Sequence, residues 1–270
     1  MNLSIKPVNE NNENFALNKE LIKQCIVIFS FILTLGLFWG FNPVSNARAA
    51  VAPTASTGTI FWPDQSQYRG DLQNGKANGY GQTTFSDGGS YTGEYQNNLF
   101  NGQGTLKMPD GSSYKGGFRD NMFFGQGVYT WTNGAKYEGN YRYNMRDGDG
   151  TFTWPGGVKY VGEFVADKAE GYGSIYWDDG EKYTGQMKGG QATGLGYYQF
   201  ANGEKYVGSL SNLMFEGLGT YYWPSGAKYV GEFKADLFSG QGTYYWPNGT
   251  SQWGYWKDDS YIGIYPEKSQ

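Results

Sequence analysis

The chain has 270 residues, of which 43 are glycine, 24 tyrosine, 17 phenylalanine and 9 tryptophan, and it has no histidine. Its formal charge of −4 gives no general attraction to nucleic acid, and its one cysteine excludes a disulfide within the chain and a cysteine-rich zinc site. Aliphatic residues are too sparse for an ordinary core, so we expect a repeat protein whose buried surface is largely aromatic.

An uncharged apolar run of 17 residues, 25–41, lies near the N-terminus. As a helix it would span about 25 Å, slightly short for a bilayer core and slightly long for the apolar part of a signal peptide. The following Ala47-Arg48-Ala49 has the small-x-small pattern that a signal peptidase accepts. We therefore expect residues 1–49 to be a signal peptide cleaved before Ala50, which places the mature protein in the periplasm or outside the cell. The alternative is a membrane anchor through residues 25–41.

A tyrosine recurs every 23 residues without insertion or deletion. We call these residues the slot tyrosines: Tyr68, Tyr91, Tyr114, Tyr137, Tyr160, Tyr183, Tyr206 and Tyr229. Glycine fills the positions 2, 11, 13 and 20 residues after the slot tyrosine. With Gln252 taken as a ninth slot and Gly58 as the partial unit ahead of the first, this rule accounts for 35 of the 43 glycines. A fixed period of this length is typical of stacked structural repeats. We expect a repeat array over 58–263, a linker over 50–57 and a C-terminal tail over 264–270.

Each repeat is predicted to form two short strands. The first runs from one residue before the slot tyrosine to five after it, and the second from 13 to 17 after it, because aromatic and β-branched residues alternate there. Turn residues such as Asn97-Asn98 and Pro109-Asp110-Gly111 join the strands. The predicted fold class is therefore all-β: an elongated, twisted, single-sheet antiparallel meander solenoid, preceded by an N-terminal hydrophobic helix. Aromatic rings lying over glycines on one face would form its thin core.

The second repeat shows the full motif, Tyr91-Thr92-Gly93-Glu94-Tyr95 followed by Gly102-Gln103-Gly104 and Asp110-Gly111. This motif resembles the MORN repeat (membrane occupation and recognition nexus), and the resemblance covers about three quarters of the chain. It implies an elongated single-sheet solenoid used for dimerisation, scaffolding and attachment near membranes, with phospholipid binding proposed for some members. The family often has a histidine before the glycine at position 11, and this chain has none, so no property that depends on that histidine carries over.

No set of residues specifies a reaction. Catalysis by acid, base or nucleophile needs unlike groups at one place, whereas Glu94, Glu163 and Glu232 occupy one repeat position and are interpreted as solvated. The acidic stretches Asp147-Gly148-Asp149-Gly150 and Asp178-Asp179-Gly180 lack the ligand spacing of a calcium loop. We therefore predict a protein that is not an enzyme, with no catalytic residue, no cofactor and no metal site.

The later repeats carry an amphipathic surface on the face opposite the slot tyrosines. We call it the Lys/Val/Tyr face, and it comprises Lys136, Lys159, Lys182, Lys205, Lys228, Val161, Val207, Val230, Tyr176, Tyr222 and Tyr245. Earlier repeats carry polar residues on this face, among them Thr84, Ser90, Ser113 and Thr130. Aromatic side chains interleaved with polar groups suit an interface. The alternative interpretation is ordinary sheet propensity, with lysine stems packed over tyrosine rings.

These observations together predict a non-enzymatic protein-interaction scaffold that is exported across a membrane or tethered to one. The expected partner is another protein or a second copy of the chain. A lipid-surface module is one alternative, and a module that binds glycans or cell-wall polymers is another. Nucleic acid is not expected as a partner, because the chain is acidic.

Overall fold

A computed structural model of the protein describes residues 55–265, which form nineteen β-strands and no helix. The predicted N-terminal helix over 25–41 and the expected cleavage position before Ala50 lie outside the described residues. Within 55–265 there is accordingly no helix with the length and apolarity needed to cross a membrane. The first strand begins at Ala55, three residues before the predicted start of the repeat array.

The described residues divide into two compact units. The first unit contains residues 55–155 and 164–167, and the second contains 156–163 and 168–265. The first unit holds β1 (Ala55–Phe61), β2 (Gln67–Gln73), β3 (Lys76–Thr84), β4 (Ser90–Gln96), β5 (Leu99–Lys107), β6 (Ser113–Arg119), β7 (Met122–Thr130), β8 (Lys136–Arg142) and β9 (Met145–Thr153). β10 (Lys159–Val165) is divided between the units. The second unit holds β11 (Lys168–Tyr176), β12 (Lys182–Lys188), β13 (Gln191–Gln199), β14 (Lys205–Ser211), β15 (Met214–Tyr222), β16 (Lys228–Lys234), β17 (Leu237–Tyr245), β18 (Ser251–Lys257) and β19 (Ser260–Gly263).

Within each unit, the strands form an antiparallel meander. From β1 to β9 and from β11 to β19, each strand pairs with the next one along the chain. This pairing confirms the predicted all-β meander with two strands per repeat. The first strand of each repeat also has its predicted bounds, from one residue before the slot tyrosine to five after it.

The second strand of each repeat is longer than predicted. In the second repeat it begins at Leu99, eight residues after the slot tyrosine rather than thirteen. The hairpin closes at once, because Asn97 and Asn98 both have positive φ, 51° and 71°, as a two-residue type I′ turn requires. A bulge between Gly93 and Tyr95 then shifts the register, so the strand pair continues past it. Alternation of residue types does not reveal this segment, because a bulge interrupts the period.

The core of each repeat is a slot tyrosine lying over glycines. Tyr91 is 0% exposed, and its hydroxyl donates a hydrogen bond to the Glu94 carbonyl at 2.9 Å. A Cβ added at Gly104 would collide with that hydroxyl and with the edge of the ring, so only glycine fits beneath it. All eight slot tyrosines donate the same bond three residues onward, at 2.6–3.2 Å. The structural interpretation of the slot tyrosines is confirmed.

A second core position, nine residues after the slot tyrosine, is missed by the sequence prediction. Phe100 stacks on Tyr91 there, with ring centroids 3.8 Å apart and planes 12° apart. In the fourth repeat the position holds Arg146, which is 4% exposed and whose Nε lies 3.0 Å from the Asp167 carboxylate. Other repeats place alanine there, for example Ala192. Because the residue type changes from repeat to repeat, no constant signal marks this position in the sequence.

Candidate interaction surface

The Lys/Val/Tyr face is built from alternate residues of strands whose other residues form the core. In β14, Tyr206 is 0% exposed, and its neighbours Lys205 and Val207 are exposed, Val207 by 46%. In β15, Tyr221 lies on the core side, whereas Tyr222 is 40% exposed. Successive side chains of a strand point to opposite sides of the sheet. Burial of the slot tyrosines therefore fixes the lysines, valines and outer tyrosines on the other side.

Strand pairing aligns the lysines and tyrosines of the second unit. Lys182 lies opposite Tyr176 on one neighbouring strand, and Lys205 lies opposite Tyr222. The whole line, which we call the lysine–tyrosine row, reads Tyr176, Lys182, Gln199, Lys205, Tyr222, Lys228 and Tyr245. Neighbouring strands are about 4.8 Å apart, so the lysines of successive repeats recur about every 9.6 Å.

Two lysines of this row, and Lys159 of β10 beside it, pack over tyrosine rings. The Nζ atoms of Lys159 and Lys182 lie 4.8 Å and 5.0 Å from the Tyr176 ring centroid, and Lys228 Nζ lies 4.8 Å from the Tyr245 centroid. An exposed cation–π contact of this kind contributes about 0.5–1 kcal/mol. The alternative interpretation, stem packing over tyrosine, is therefore observed, and the same contacts position the ammonium groups along the row.

A shallow depression of about 450 Å³ lies beside the centre of the row. Its lining is Tyr197, Gly203, Lys205, Val207, Tyr222, Trp223 and Pro224. Tyr197 pairs with Val207 and Lys205 pairs with Tyr222, so the strand register assembles its floor. Trp223 follows the last residue of β15 and contacts the ring of Phe238, with centroids 5.9 Å apart. The depression is therefore bounded mainly by rings and aliphatic carbon, with one ammonium group at its edge.

A second exposed line was not predicted from the sequence. Tyr172, Leu195 and Leu218 are 67%, 61% and 69% exposed, and each lies between two of the repeat glycines. The same position holds Tyr80, which is 60% exposed, Gln103, Gln126 and Asp149 in the first unit, and Gln241 in the last repeat of the second unit. The outer surface of the second unit is thus more apolar than the Lys/Val/Tyr face alone implies. The glycines on both sides dominate the local pattern, which is why these residues were overlooked.

Lys136 does not share the surroundings of the other lysines. It lies in the first unit, where its Nζ is 2.8 Å from Glu138 Oε2, and both side chains are exposed. Glu138 occupies the repeat position that Val161, Val207 and Val230 occupy in the second unit. A surface ion pair of this kind contributes about 0–1 kcal/mol. Glu138 offsets the Lys136 charge, and Lys136 does not belong to the lysine–tyrosine row.

The acidic residues of the repeats serve the fold. Glu94 accepts a hydrogen bond from the backbone N–H of Gln103 at 2.8 Å, and Glu232 accepts one from Gln241 at 2.9 Å. These bonds satisfy N–H groups beside the bulge, so the two carboxylates do more than face solvent. In the part of the chain that the structure describes, no three histidine, cysteine or acidic residues cluster as a metal ion would require.

The strongest electrostatic perturbations lie on the core side. Burial raises the pKa of the Tyr68 hydroxyl to about 12 and raises that of Tyr91 further. Burial also raises the pKa of Tyr221, and its hydrogen bond of 2.5 Å to Glu204 adds to the effect. Each of these tyrosines is held in its neutral form as part of the core. They stabilise the scaffold and do not mark a reactive site.

Comparison with known proteins gives a family match and distant structural likenesses. A family model described as MORN repeat matches eight consecutive segments: 68–90, 91–113, 114–136, 137–159, 160–182, 183–205, 206–228 and 229–251. No curated protein matches the chain. The TCP10 domain of Danio rerio CPAP matches with a TM-score of 0.44 and 13% identity, over 75% of this chain and 94% of that chain. The SAS-4 (dCPAP) TCP domain of Drosophila melanogaster, in complex with a proline-rich motif of Ana2, matches with a TM-score of 0.37 and 12% identity, over 79% and 97%. Both likenesses are too low to carry an argument about partners.

Proposed function

The chain belongs to the MORN repeat family, and from that premise we propose that it is a protein-interaction scaffold whose contact surface is the outer face of the second unit. Repeats of this family generally act in binding rather than in catalysis. The proposed surface consists of the lysine–tyrosine row, the depression beside it, and the exposed line of Tyr172, Leu195 and Leu218.

The observation that carries this proposal is exposed apolar surface that the fold does not need. Val207, Tyr222 and Leu218 are 46%, 40% and 69% exposed, although the core on the other side is already closed by the slot tyrosines. Contiguous apolar surface rimmed by polar groups marks interaction sites in soluble proteins. Tyrosine and tryptophan are also enriched among the residues that contribute most to protein–protein binding.

A triple substitution of the outer tyrosines tests the scaffold function. Tyr176→Ser, Tyr222→Ser and Tyr245→Ser together should reduce capture of the partner in the cell of origin by at least about tenfold, since interface aromatics commonly contribute over 1 kcal/mol each. The matched control is Thr84→Ser, Thr130→Ser and Thr153→Ser, at the same repeat position in the first unit. Undiminished capture by a folded tyrosine variant would refute the proposal.

We further propose that the scaffold acts outside the cytoplasm or at a membrane. This rests on the apolar run 25–41 and on Ala47-Arg48-Ala49. Intact mass measured separately on soluble and membrane fractions tests it. A soluble species beginning at Ala50 would support export, and a full-length membrane species would support tethering. A full-length soluble species would contradict both.

Lipid and glycan binding stay as predictions from the sequence. The row lysines would have to attract an anionic bilayer in spite of the acidic balance of the whole chain. Binding to anionic vesicles should then fall steeply with salt. Retention on a polysaccharide would instead depend on the outer tyrosines and change little with salt.

A further inference from the structure

We propose that the lysine–tyrosine row of the second unit binds a polyproline II segment that carries an acidic residue at every third position. This inference rests on the proposed function and deepens it, because it names the partner class. The spacing of the repeats, the charge of the row and the depression beside it all fit such a ligand.

The spacing of the repeats matches a polyproline II helix. Each repeat contributes two strands, so equivalent side chains recur about every 9.6 Å across the strands. A polyproline II helix has three residues per turn and rises about 9.3 Å per turn, so every third side chain faces the same way at nearly that distance. A partner in β conformation would turn every third side chain to the opposite side. An α-helix would need about 6.4 residues for the same distance, which is not a whole number of turns.

The charge of the row selects an acidic partner. Three lysines recur along the row: Lys182, Lys205 and Lys228. Gln199 and Tyr222 lie between them, and no residue of the row has a carboxylate. The contacts of Lys182 and Lys228 with tyrosine rings hold the ammonium groups in place before a ligand arrives. One carboxylate per polyproline II turn would meet one ammonium group per repeat. Such pairs fix the register and speed association.

The aromatic side chains in and beside the row suit the prolines that lie between the acidic residues of the ligand. Tyr222 lies between the lysines of two successive repeats, where the two intervening prolines of each turn would lie. The depression beside it is bounded by Tyr197, Trp223 and Pro224 as well, which gives it room for one proline ring. Grooves lined by aromatic residues bind polyproline II segments because the ligand is already extended and loses little conformational entropy.

The length of the bound segment follows from sheet twist. Neighbouring strands in a sheet are rotated by roughly 20–25°, so a straight ligand stays in contact with only a few repeats. Three lysines at this spacing enclose two intervals, about 19 Å, which correspond to about seven ligand residues, or about nine with a full turn for each lysine. The part of the chain before the repeat array, Ala50–Thr57, has a proline but no acidic residue, so it does not satisfy the charge requirement.

Synthetic peptides of fixed spacing test the proposal. Binding of the purified full chain to acetyl-(Glu-Pro-Pro)4-amide is measured by calorimetry at low salt. It is compared with (Lys-Pro-Pro)4, which reverses the charge, and with (Glu-Pro-Pro-Pro)3, which changes the spacing. We expect the first peptide to bind at least about tenfold more tightly than either of the others, and its affinity to fall with added salt. Equal affinity for the peptide with the wrong spacing would overturn the proposal, as would absence of binding.

Substitution of the row lysines tests whether the peptide binds to the lysine–tyrosine row. Lys182→Gln, Lys205→Gln and Lys228→Gln together should weaken binding at least about tenfold, because the charge pairs are lost. The matched control removes three exposed lysines of the first unit, through Lys76→Gln, Lys107→Gln and Lys115→Gln, and should leave the affinity within about twofold. Circular dichroism verifies that both variants are folded. Equal losses in the two variants would overturn the assignment to the row.

The outcomes separate this inference from the scaffold function. If no peptide binds but capture in the cell still depends on the outer tyrosines, the scaffold stands and the polyproline II partner is rejected. If capture is also unaffected by those tyrosines, both proposals fail. Self-association that the row substitutions abolish, or binding to anionic vesicles in place of the peptide, would likewise replace the proposed occupant.

Discussion

Each unit has the same kind of core, but the outer surfaces of the two units differ. Tyr91 in the first unit and Tyr206 in the second are both 0% exposed and donate hydrogen bonds of 2.9 Å and 2.7 Å to the carbonyl three residues onward. On the outer surface, Gln103 of the first unit corresponds to Leu218 of the second, which is 69% exposed. The constant face is therefore the part that makes the fold, and the variable face is free to carry specificity.

The cause of this difference is steric. Beneath each slot tyrosine a Cβ at the paired glycine would collide with the ring, as at Gly104 in the first unit and Gly219 in the second. The core side therefore tolerates little variation. The outer positions need only suit a strand, a requirement that threonine, lysine, valine and tyrosine all meet at a cost of less than about 1 kcal/mol.

Alkaline pH should unfold both units together, and this is the largest loss of stability that we expect. Burial raises the pKa values of seven slot tyrosines, that of Tyr68 to about 12, against about 10 in an unfolded chain. Their contribution to stability is complete below pH 10 and is lost as pH rises through the folded pKa. Each slot tyrosine that ionises only when unfolded lowers the unfolding free energy by about 1.4 kcal/mol per pH unit. Thermal unfolding followed between pH 9 and 12 should show a steep fall, and Tyr91→Phe should make it less steep. An unfolding temperature that does not change between pH 9 and 12 would contradict a core made of neutral tyrosines.

Removing one slot tyrosine should cost the same in either unit. Tyr91→Ala and Tyr206→Ala should each lower the unfolding free energy by about 3–5 kcal/mol, because each leaves a cavity in a thin core. Urea unfolding measures both. The corresponding phenylalanine variants remove only the hydroxyl and should cost about 1 kcal/mol. A small loss in one unit and a large loss in the other would show that the cores are not equivalent.

Arg146 offers a way to test whether its repeat accepts the aromatic stack that Phe100 makes in the same unit and Phe215 makes in the second. Its buried pair with Asp167 occupies the place where Phe215 stacks on Tyr206 in the second unit, at 3.7 Å. Arg146→Phe removes only one partner of the pair, but Phe215 in the second unit has the same arrangement, with its backbone N–H donating to the Asp236 carboxylate at 2.7 Å. Arg146→Phe should therefore change the unfolding free energy by less than about 1.5 kcal/mol, since a new aromatic stack offsets the lost pair. Arg146→Ala should destabilise by about 3 kcal/mol, since it removes the guanidinium partner of Asp167 and adds no ring; the backbone N–H of residue 146 still donates to that carboxylate at 2.9 Å. Chemical unfolding of the two variants distinguishes these effects, and a loss of several kcal/mol in Arg146→Phe would contradict the interpretation.

Exchanging outer residues between the units should have the smallest effect on stability. Leu218→Gln and Gln103→Leu should each change the unfolding free energy by less than about 0.5 kcal/mol, because neither side chain is part of the core. Thermal unfolding of the two variants measures these changes. A loss above 2 kcal/mol for Leu218→Gln would assign that side chain to the fold rather than to a contact surface.

Much of the fold is predictable from the sequence, because residues that are neighbours in the sequence determine the strands and turns. The first-strand bounds and the turn Asn97-Asn98 follow from residue type alone. The longer second strand was missed because a bulge between Gly93 and Tyr95 breaks the alternation. The stack of Phe100 on Tyr91 was missed because the same position holds arginine or alanine elsewhere.

The candidate surface was predictable only in part. The lysines and tyrosines of the Lys/Val/Tyr face recur at fixed repeat positions, so they can be recognised in the sequence. The depression is not periodic, because it needs Tyr197 and Val207 to be paired and Trp223 to lie at a strand end. Strand register brings these residues together, and the bulge between Gly208 and Leu210 that sets part of this register was not predicted.

Site-specific photocrosslinking tests the central claim most directly. A photoreactive phenylalanine analogue is placed at Tyr222 in one variant and at Thr130 in another, at the same repeat position in the two units. After irradiation in the cell of origin, the account predicts a discrete crosslinked protein from position 222 and little or none from position 130. Equal crosslinking at both positions, or crosslinking at position 130 alone, would contradict the claim that the outer face of the second unit is the contact surface.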